Sequence, residues 1–221
     1  MSATTTTGKR LPQRVAAVLF DMDNTLVASE DAWFAATRKL WEEVGGDATG
    51  KGVLGGTVSD VVDDFLREYP DADRTELSER MTNLIMANLA GGVRPTPGAL
   101  ALIERLSATM PITIASNSPT AIVEHVVSAL GWGDLFTAAL GTEDVERPKP
   151  APDLYLAAAA RCGVSIEDCV VFEDSPMGAT AARASGAFVV TIGPETRHLG
   201  DVNVPDLTDP RITAWEPEVR S

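Results

Sequence analysis

The sequence predicts an α/β fold: a parallel sheet with helices on both faces, interrupted by an inserted α-helical lobe. Three observations carry this. A short apolar run, Val15 to Phe20, ends on two acids, Asp21 and Asp23. Three amphipathic stripes follow with no strand between them. Beyond residue 98, short apolar runs alternate with helical stretches, the pattern of βαβ crossovers.

Val15 to Phe20 is too short for a helix and lies between Pro12 and the acids, so it reads as a buried strand. Trp33, Ala36, Leu40, Trp41 and Val44 then fall on one helical face that Gly45-Gly46 terminates. Val58, Val61, Val62, Phe65, Leu66 and Tyr69 repeat the 3,4 spacing up to Pro70. Leu77, Met81, Leu84, Ile85 and Asn88 make a third stripe before Gly91-Gly92. Arg94-Pro95-Thr96-Pro97-Gly98 is a stiff connector, because each proline restricts itself and its predecessor.

The alternating part begins with a helix from Ala99 to Leu106 and a strand from Pro111 to Ser116. Ile122, Val123, Val126, Val127 and Leu130 mark the next helix, and Ala138 to Leu140 a short strand. A helix over Asp153 to Arg161, a strand over Cys169 to Phe172, a helix over Met177 to Ala184 and a strand over Phe188 to Ile192 complete the series. Pro194, Pro205, Pro210 and Pro217 predict a mostly irregular segment after Gly193. The expected division is a core of residues 1–27 and 95–221, with 1–14 a disordered tail, and a helical lobe over 28–94.

With 221 residues and 44% apolar content, the chain can bury one good-sized core and a smaller lobe. The net charge of −14 argues against nucleic acid and anionic membranes as partners, since both require basic patches. It also means that an anionic substrate needs local cations to overcome the field. Cys162 and Cys169 form neither a metal-binding spacing nor a disulfide framework, which fits a reducing, cytoplasmic setting. The polar start, Met1 to Gly8, has no apolar segment of the kind that targets secretion, and no apolar run approaches membrane-spanning length. A soluble monomer or weak dimer is expected.

Open parallel sheets bind ligands at the carboxyl ends of their strands. The residues expected there are Asp21, Asp23 and Thr25, then Ser116, Asn117 and Ser118, then Glu173, Asp174 and Ser175. Lys149 stands between two prolines in the intervening loop. Paired acids at a strand end repel one another unless something cationic sits between them. Hard oxygen ligands without a Cys/His set favour Mg²⁺. Carboxylates, one ammonium group and hydroxyl or amide donors suit phosphoryl transfer, in which a carboxylate can attack and a second acid can handle protons.

Asp21-Met22-Asp23-Asn24-Thr25-Leu26, Ser116-Asn117-Ser118, Lys149-Pro150 and Glu173-Asp174-Ser175 resemble, in order, the four motifs of the haloacid dehalogenase (HAD) superfamily. The resemblance spans about residues 15–193 and is to the phosphatase/β-phosphoglucomutase-like subfamily. It implies a Rossmann-like core with an inserted α-helical cap domain. It further implies a nucleophilic Asp21, an acid/base Asp23, and Thr25, Ser116, Asn117 and Lys149 around the phosphoryl group. Mg²⁺ would be held by Asp21, the backbone carbonyl of Asp23, and Asp174 with Glu173. Asn24 stands where the family usually has Gly; Asn tolerates positive φ, so the turn is expected to survive.

Each piece has a plainer reading. Glu173-Asp174 can cap a helix before Pro176, Ser116 can simply end its strand, and Lys149 can be a surface lysine. Gly45-Gly46-Asp47-Ala48-Thr49-Gly50-Lys51 mimics a P-loop, but Gly52 replaces the Ser/Thr and a helix, not a strand, precedes it. His125 and His198 are isolated, so a Ser-His-Asp hydrolase has no support. Trp33 packs the lobe or faces the substrate. The expected function is a Mg²⁺-dependent phosphatase of a small phosphorylated metabolite, a sugar phosphate or similar polyol phosphate. The alternatives are a sugar phosphomutase, for which His and Arg are missing at the comparable places, and a non-catalytic phosphate-binding module.

Overall fold

The structure is a computed structural model describing residues 9–52 and 54–220. Its centre is a six-stranded sheet in the order β4 (Ala138–Leu140), β3 (Ile112–Ala115), β2 (Ala17–Phe20), β5 (Cys169–Glu173), β6 (Phe188–Ile192), β7 (Val202–Val204), with every pairing parallel. The chain steps outward from β2 in both directions, so the point where the strand order reverses lies at the end of β2. Phe20 is in register with both Ile114 and Phe172. Asp21, Ser116 and Glu173 therefore emerge close together at the carboxyl edge, and the Asp21 amide extends the ladder by donating to Phe172 O at 2.9 Å.

Alternation along the strands feeds two apolar layers. Val18, Phe20, Ile112, Ile114, Val170 and Phe172 point to one side, where α4 (Ala99–Ser107) and α5 (Thr120–Ala129) cover them. Ala17, Leu19, Val171 and Val189 point to the other, against α6 (Asp153–Cys162) and α7 (Pro176–Ser185). Strands covered on both faces read as continuous apolar runs, as these do. Phe20 and Phe172 stack with centroids 5.2 Å apart at the middle of the first layer.

The insertion after β2 holds α1 (Glu30–Glu42), α2 (Val58–Glu68) and α3 (Arg74–Leu89). Thr57 and Asp60 cap α2 reciprocally, and the Asp73 carboxylate accepts from the first amides of α3. Trp41 meets Phe65 edge-on at 4.9 Å, beside the buried Met81 and Ile85. The chain enters and leaves this bundle side by side, with Ala28 N donating to Arg94 O and Thr96 N to Leu26 O, each at 2.9 Å.

One expectation is corrected. The disordered tail assigned to residues 1–14 does not extend that far; residues 1–8 lie outside the described residues, but Lys9 N donates to Asp201 O and Pro12 O accepts from the Trp215 indole at 2.8 Å. β1 (Arg14–Val15) then pairs in parallel with β8 (Glu218–Val219). The segment after Gly193 is mostly turns and bends, as expected, but it is not featureless. It supplies β7, α8 (Pro210–Thr213) and β8, and Leu207, Ile212 and Trp215 are buried against the sheet. β7 has only three residues, too few for a period to show. No helix among the described residues is long and apolar enough to cross a membrane.

Candidate active site

The turn after β2 sets the site. Asn24 adopts φ 58°, the only positive φ outside glycine among the described residues. Its amide donates to Val27 O at 2.7 Å, and its side-chain oxygen accepts from Glu30 N at 3.0 Å. The left-handed kink thus folds the chain back under the start of α1 and turns Asp21 and Asp23 into one crevice.

Asp21 is almost wholly buried, and its Oδ1 lies 2.6 Å from Lys149 Nζ. The same ammonium group lies 2.8 Å from Glu173 Oε2, which also accepts from the Tyr155 hydroxyl at 2.5 Å. Glu173 Oε1 accepts from the Asp174 amide and from the Ser175 amide and hydroxyl at 2.8–3.2 Å. Both oxygens of Glu173 are thereby engaged, so its carboxylate serves to fix Lys149 and the turn before α7. Asp174 is held by the Thr25 hydroxyl at 3.2 Å.

Carboxylate oxygens of Asp21, Glu173 and Asp174 come within 4.8 Å of one another. Against three acids stands one lysine. Burial, followed by the neighbouring Glu173, drives the Asp21 carboxyl well above its usual range and Asp174 up to about 8. Burial alone would lower Lys149, but Asp21 and Glu173 outweigh it and hold the ammonium charged. A divalent cation fits this donor set: the oxygens are hard, closely spaced and short of positive charge.

Asp23 lies beside this cluster and is held differently. Its Oδ1 accepts from the Ser29 hydroxyl at 2.6 Å and the Trp33 indole at 3.3 Å. Its Oδ2 accepts from the hydroxyls of Ser118 at 2.7 Å and Ser116 at 3.1 Å. The insertion and the sheet edge each supply two donors. Asn117 is a crosslink: its Oδ1 accepts from Lys149 N at 2.9 Å, while Nδ2 donates to Lys149 O at 3.1 Å and to Gly55 O of the insertion at 2.8 Å.

All the residues singled out in the four motifs therefore converge. His125 and His198 do not line the crevice. The P-loop-like segment sits in turns after α1, where Lys51 pairs with Glu68. Tyr155, Ser29 and Gly178 were not legible as site residues. Tyr155 is a lone aromatic in an alanine-rich helix, and only its position six residues after Lys149 hinted at it. Above the acids lies a crevice walled by Trp33, Phe34, Thr37, Leu54 and Val61.

A model of the haloacid dehalogenase-like hydrolases matches residues 15–186. The chain belongs to that family. It is 31% identical over 188 residues to the fructose-1-phosphate phosphatase YqaB of Escherichia coli K12, covering 81% of this chain and 97% of the relative. Hexitol phosphatase A of the same organism is 31% identical over 207 residues, covering 84% of this chain and 88% of the relative. A solved β-phosphoglucomutase from Clostridium difficile superposes with a TM-score of 0.78 at 21% identity, over 90% of this chain and 95% of that one. That likeness concerns the fold. The class expected from the sequence, a phosphoric monoester hydrolase of the HAD type, is the class of the two named phosphatases.

Proposed function

We propose that the chain is a Mg²⁺-dependent phosphatase that hydrolyses a small phosphorylated metabolite, a sugar or polyol phosphate, through an aspartyl-phosphate. The observation that carries this reading is the buried Asp21–Lys149–Glu173 cluster opening onto Asp23 and the apolar-walled crevice. Asp21 Oδ1 is committed to Lys149, which leaves Oδ2 to attack phosphorus in line as the ester P–O bond breaks. Asp23 gives its proton to the departing oxygen, then takes one from the water that cleaves the aspartyl-phosphate and releases inorganic phosphate. Lys149, Thr25, Ser116 and Asn117 hold the phosphoryl oxygens, Asn117 through its backbone N–H, since its side-chain amide is taken up by Lys149 and Gly55.

Asp21, Asp174 and the carbonyl of Asp23 would bind the metal directly, with Glu173 ordering Asp174 from behind. Bound Mg²⁺ would neutralise charge on the transferring phosphoryl group. The helical insertion acts as a cap: Gly55 and Trp33 already reach core residues from it, and closure excludes bulk water. Two free thiols are consistent with a reducing cytoplasm as the working compartment.

The test is turnover of p-nitrophenyl phosphate with Mg²⁺, abolished by chelation and reduced at least about a thousandfold in Asp21→Asn. Retained activity in Asp21→Asn would refute the aspartyl-phosphate mechanism.

A further inference from the structure

The crevice offers its substrate a phosphate end and a remote end, and the two differ in charge. At the phosphate end sits Lys149, buried beneath Asp21. Beyond Asp21, Asp23 and Asp174, Glu30 is the charged residue lining the crevice, and no lysine, arginine or histidine of the described residues lines it.

The basic residues of the insertion are turned elsewhere. Lys51 pairs with Glu68 and lies 5.8 Å from the Trp41 ring centroid. Arg67 pairs with Asp64, Arg74 with Asp63, Arg80 with Glu43, and Arg38 reaches Glu42 at 3.8 Å. These cations are spent on acids of the insertion's own helices and connections.

The remaining lining has a consistent chemistry. Trp33, Phe34, Leu54 and Val61 give apolar contact, and Phe34 is 45% exposed with its ring at the crevice. Thr37 and the Glu30 carboxylate offer groups that can meet hydroxyls. Glu30 begins α1, where its amide is bonded to Asn24 Oδ1; among the described residues its carboxylate has no ion-pair partner.

We propose that Glu30 is a specificity-determining residue that restricts the crevice to monophosphate esters whose remainder is uncharged and hydroxyl-bearing. A second phosphate or a carboxylate on the remainder would be brought against Glu30 with no cation to meet it, and like charges across a binding surface are strongly discriminating. The hydroxyls of a neutral polyol instead donate to Glu30 while its carbon skeleton lies on Trp33 and Phe34. The inference rests on the phosphatase reading and adds the remote half of the substrate to it.

The experiment compares kcat/KM, with Mg²⁺ and phosphate release as readout, for a hexose 6-phosphate, a hexose 1,6-bisphosphate and a 6-phosphoaldonate, with p-nitrophenyl phosphate as reference. The expected result is a preference of about tenfold or more for the neutral-bodied hexose phosphate over both charged analogues. Glu30→Lys narrows that ratio by about tenfold or inverts it, and Glu30→Gln gives an intermediate ratio. Preference for either charged analogue, or a ratio unmoved in both variants, overturns the inference while p-nitrophenyl phosphate turnover leaves the phosphatase reading standing. Turnover of none of the four substrates overturns both.

Discussion

A Cβ placed on Gly178 would fall 1.8 Å from Glu173 Oε2. The third residue of α7 is thus pressed against the carboxylate that anchors Lys149, and the Ser175 side chain caps the same turn by accepting from Gly178 N at 3.0 Å. Hydrogen is the only side chain this contact admits.

Gly178→Ala is therefore expected to cost about 2–3 kcal/mol by overpacking, despite the better helix propensity of alanine. In a chain of this size that lowers Tm by roughly 4–12 °C. Differential scanning calorimetry measures it. An unchanged Tm would mean that Glu173 has an alternative seat.

Lys149 is the cation that Asp21 and Glu173 share in a wholly buried setting. Lys149→Met leaves two buried carboxylates without a cation, a loss of about 3–5 kcal/mol. Adding Glu173→Gln removes one of those charges and restores part of the stability. Urea midpoints of the wild type, the single and the double variant decide this; a double variant less stable than Lys149→Met contradicts it.

Metal and pH should act on stability through the same acids. Burial and then Glu173 push Asp174 up to about 8, and Asp21 moves the same way. The folded, metal-free protein then holds protons that the unfolded chain has released. That contribution is complete below the ordinary carboxylate range and is lost as pH rises through about 8. In a chelator, Tm is expected to fall from pH 6 to pH 8. Mg²⁺ at about a hundred times its Kd adds about 2.7 kcal/mol, and a fixed Mg²⁺ concentration stabilises more at pH 8 than at pH 6, where protons compete for the same oxygens. Thermal melts with and without Mg²⁺ test this; a Tm indifferent to Mg²⁺ at both pH values speaks against the metal.

The two cysteines should be inert in the native state. Burial, reinforced by nearby Cys162, pushes the Cys169 thiol up to about 12. Burial also raises Cys162, which shares a 3.0 Å contact with the Thr113 hydroxyl. At pH 8 the Cys169 thiolate fraction is on the order of 10⁻⁴. Iodoacetamide should leave native protein essentially unlabelled and modify both thiols in guanidinium, counted by intact mass. Rapid native labelling of Cys169 would show that the β5 region opens readily.

Much of this was legible because it depends on local pattern. The alternation of Val18 and Phe20 with Ala17 and Leu19, the 3,4 spacings of the insertion and the acids placed at strand ends are written in consecutive residues. Asn24 could be read as tolerating the left-handed turn that it adopts, because that tolerance is a property of the residue. Trp215, by contrast, packs beside Phe172 with its indole donating to Pro12 O, 203 residues away, and β7 pairs along the edge of β6.

The architecture, the chemistry-bearing acids and their order along the chain follow from periodicity and from which residue types end each strand. Tertiary structure alone decided what each group does next. It gave Lys149 to Asp21 and Glu173, placed Tyr155 and Gly178 around that pair, and divided the donors of Asp23 between insertion and core. It also turned the insertion's arginines away from the crevice and left Glu30 on its wall. The physical reason is range: strand and helix propensities act over a few residues, whereas a charge finds its partner through space, and no spacing in the chain records which partner that is.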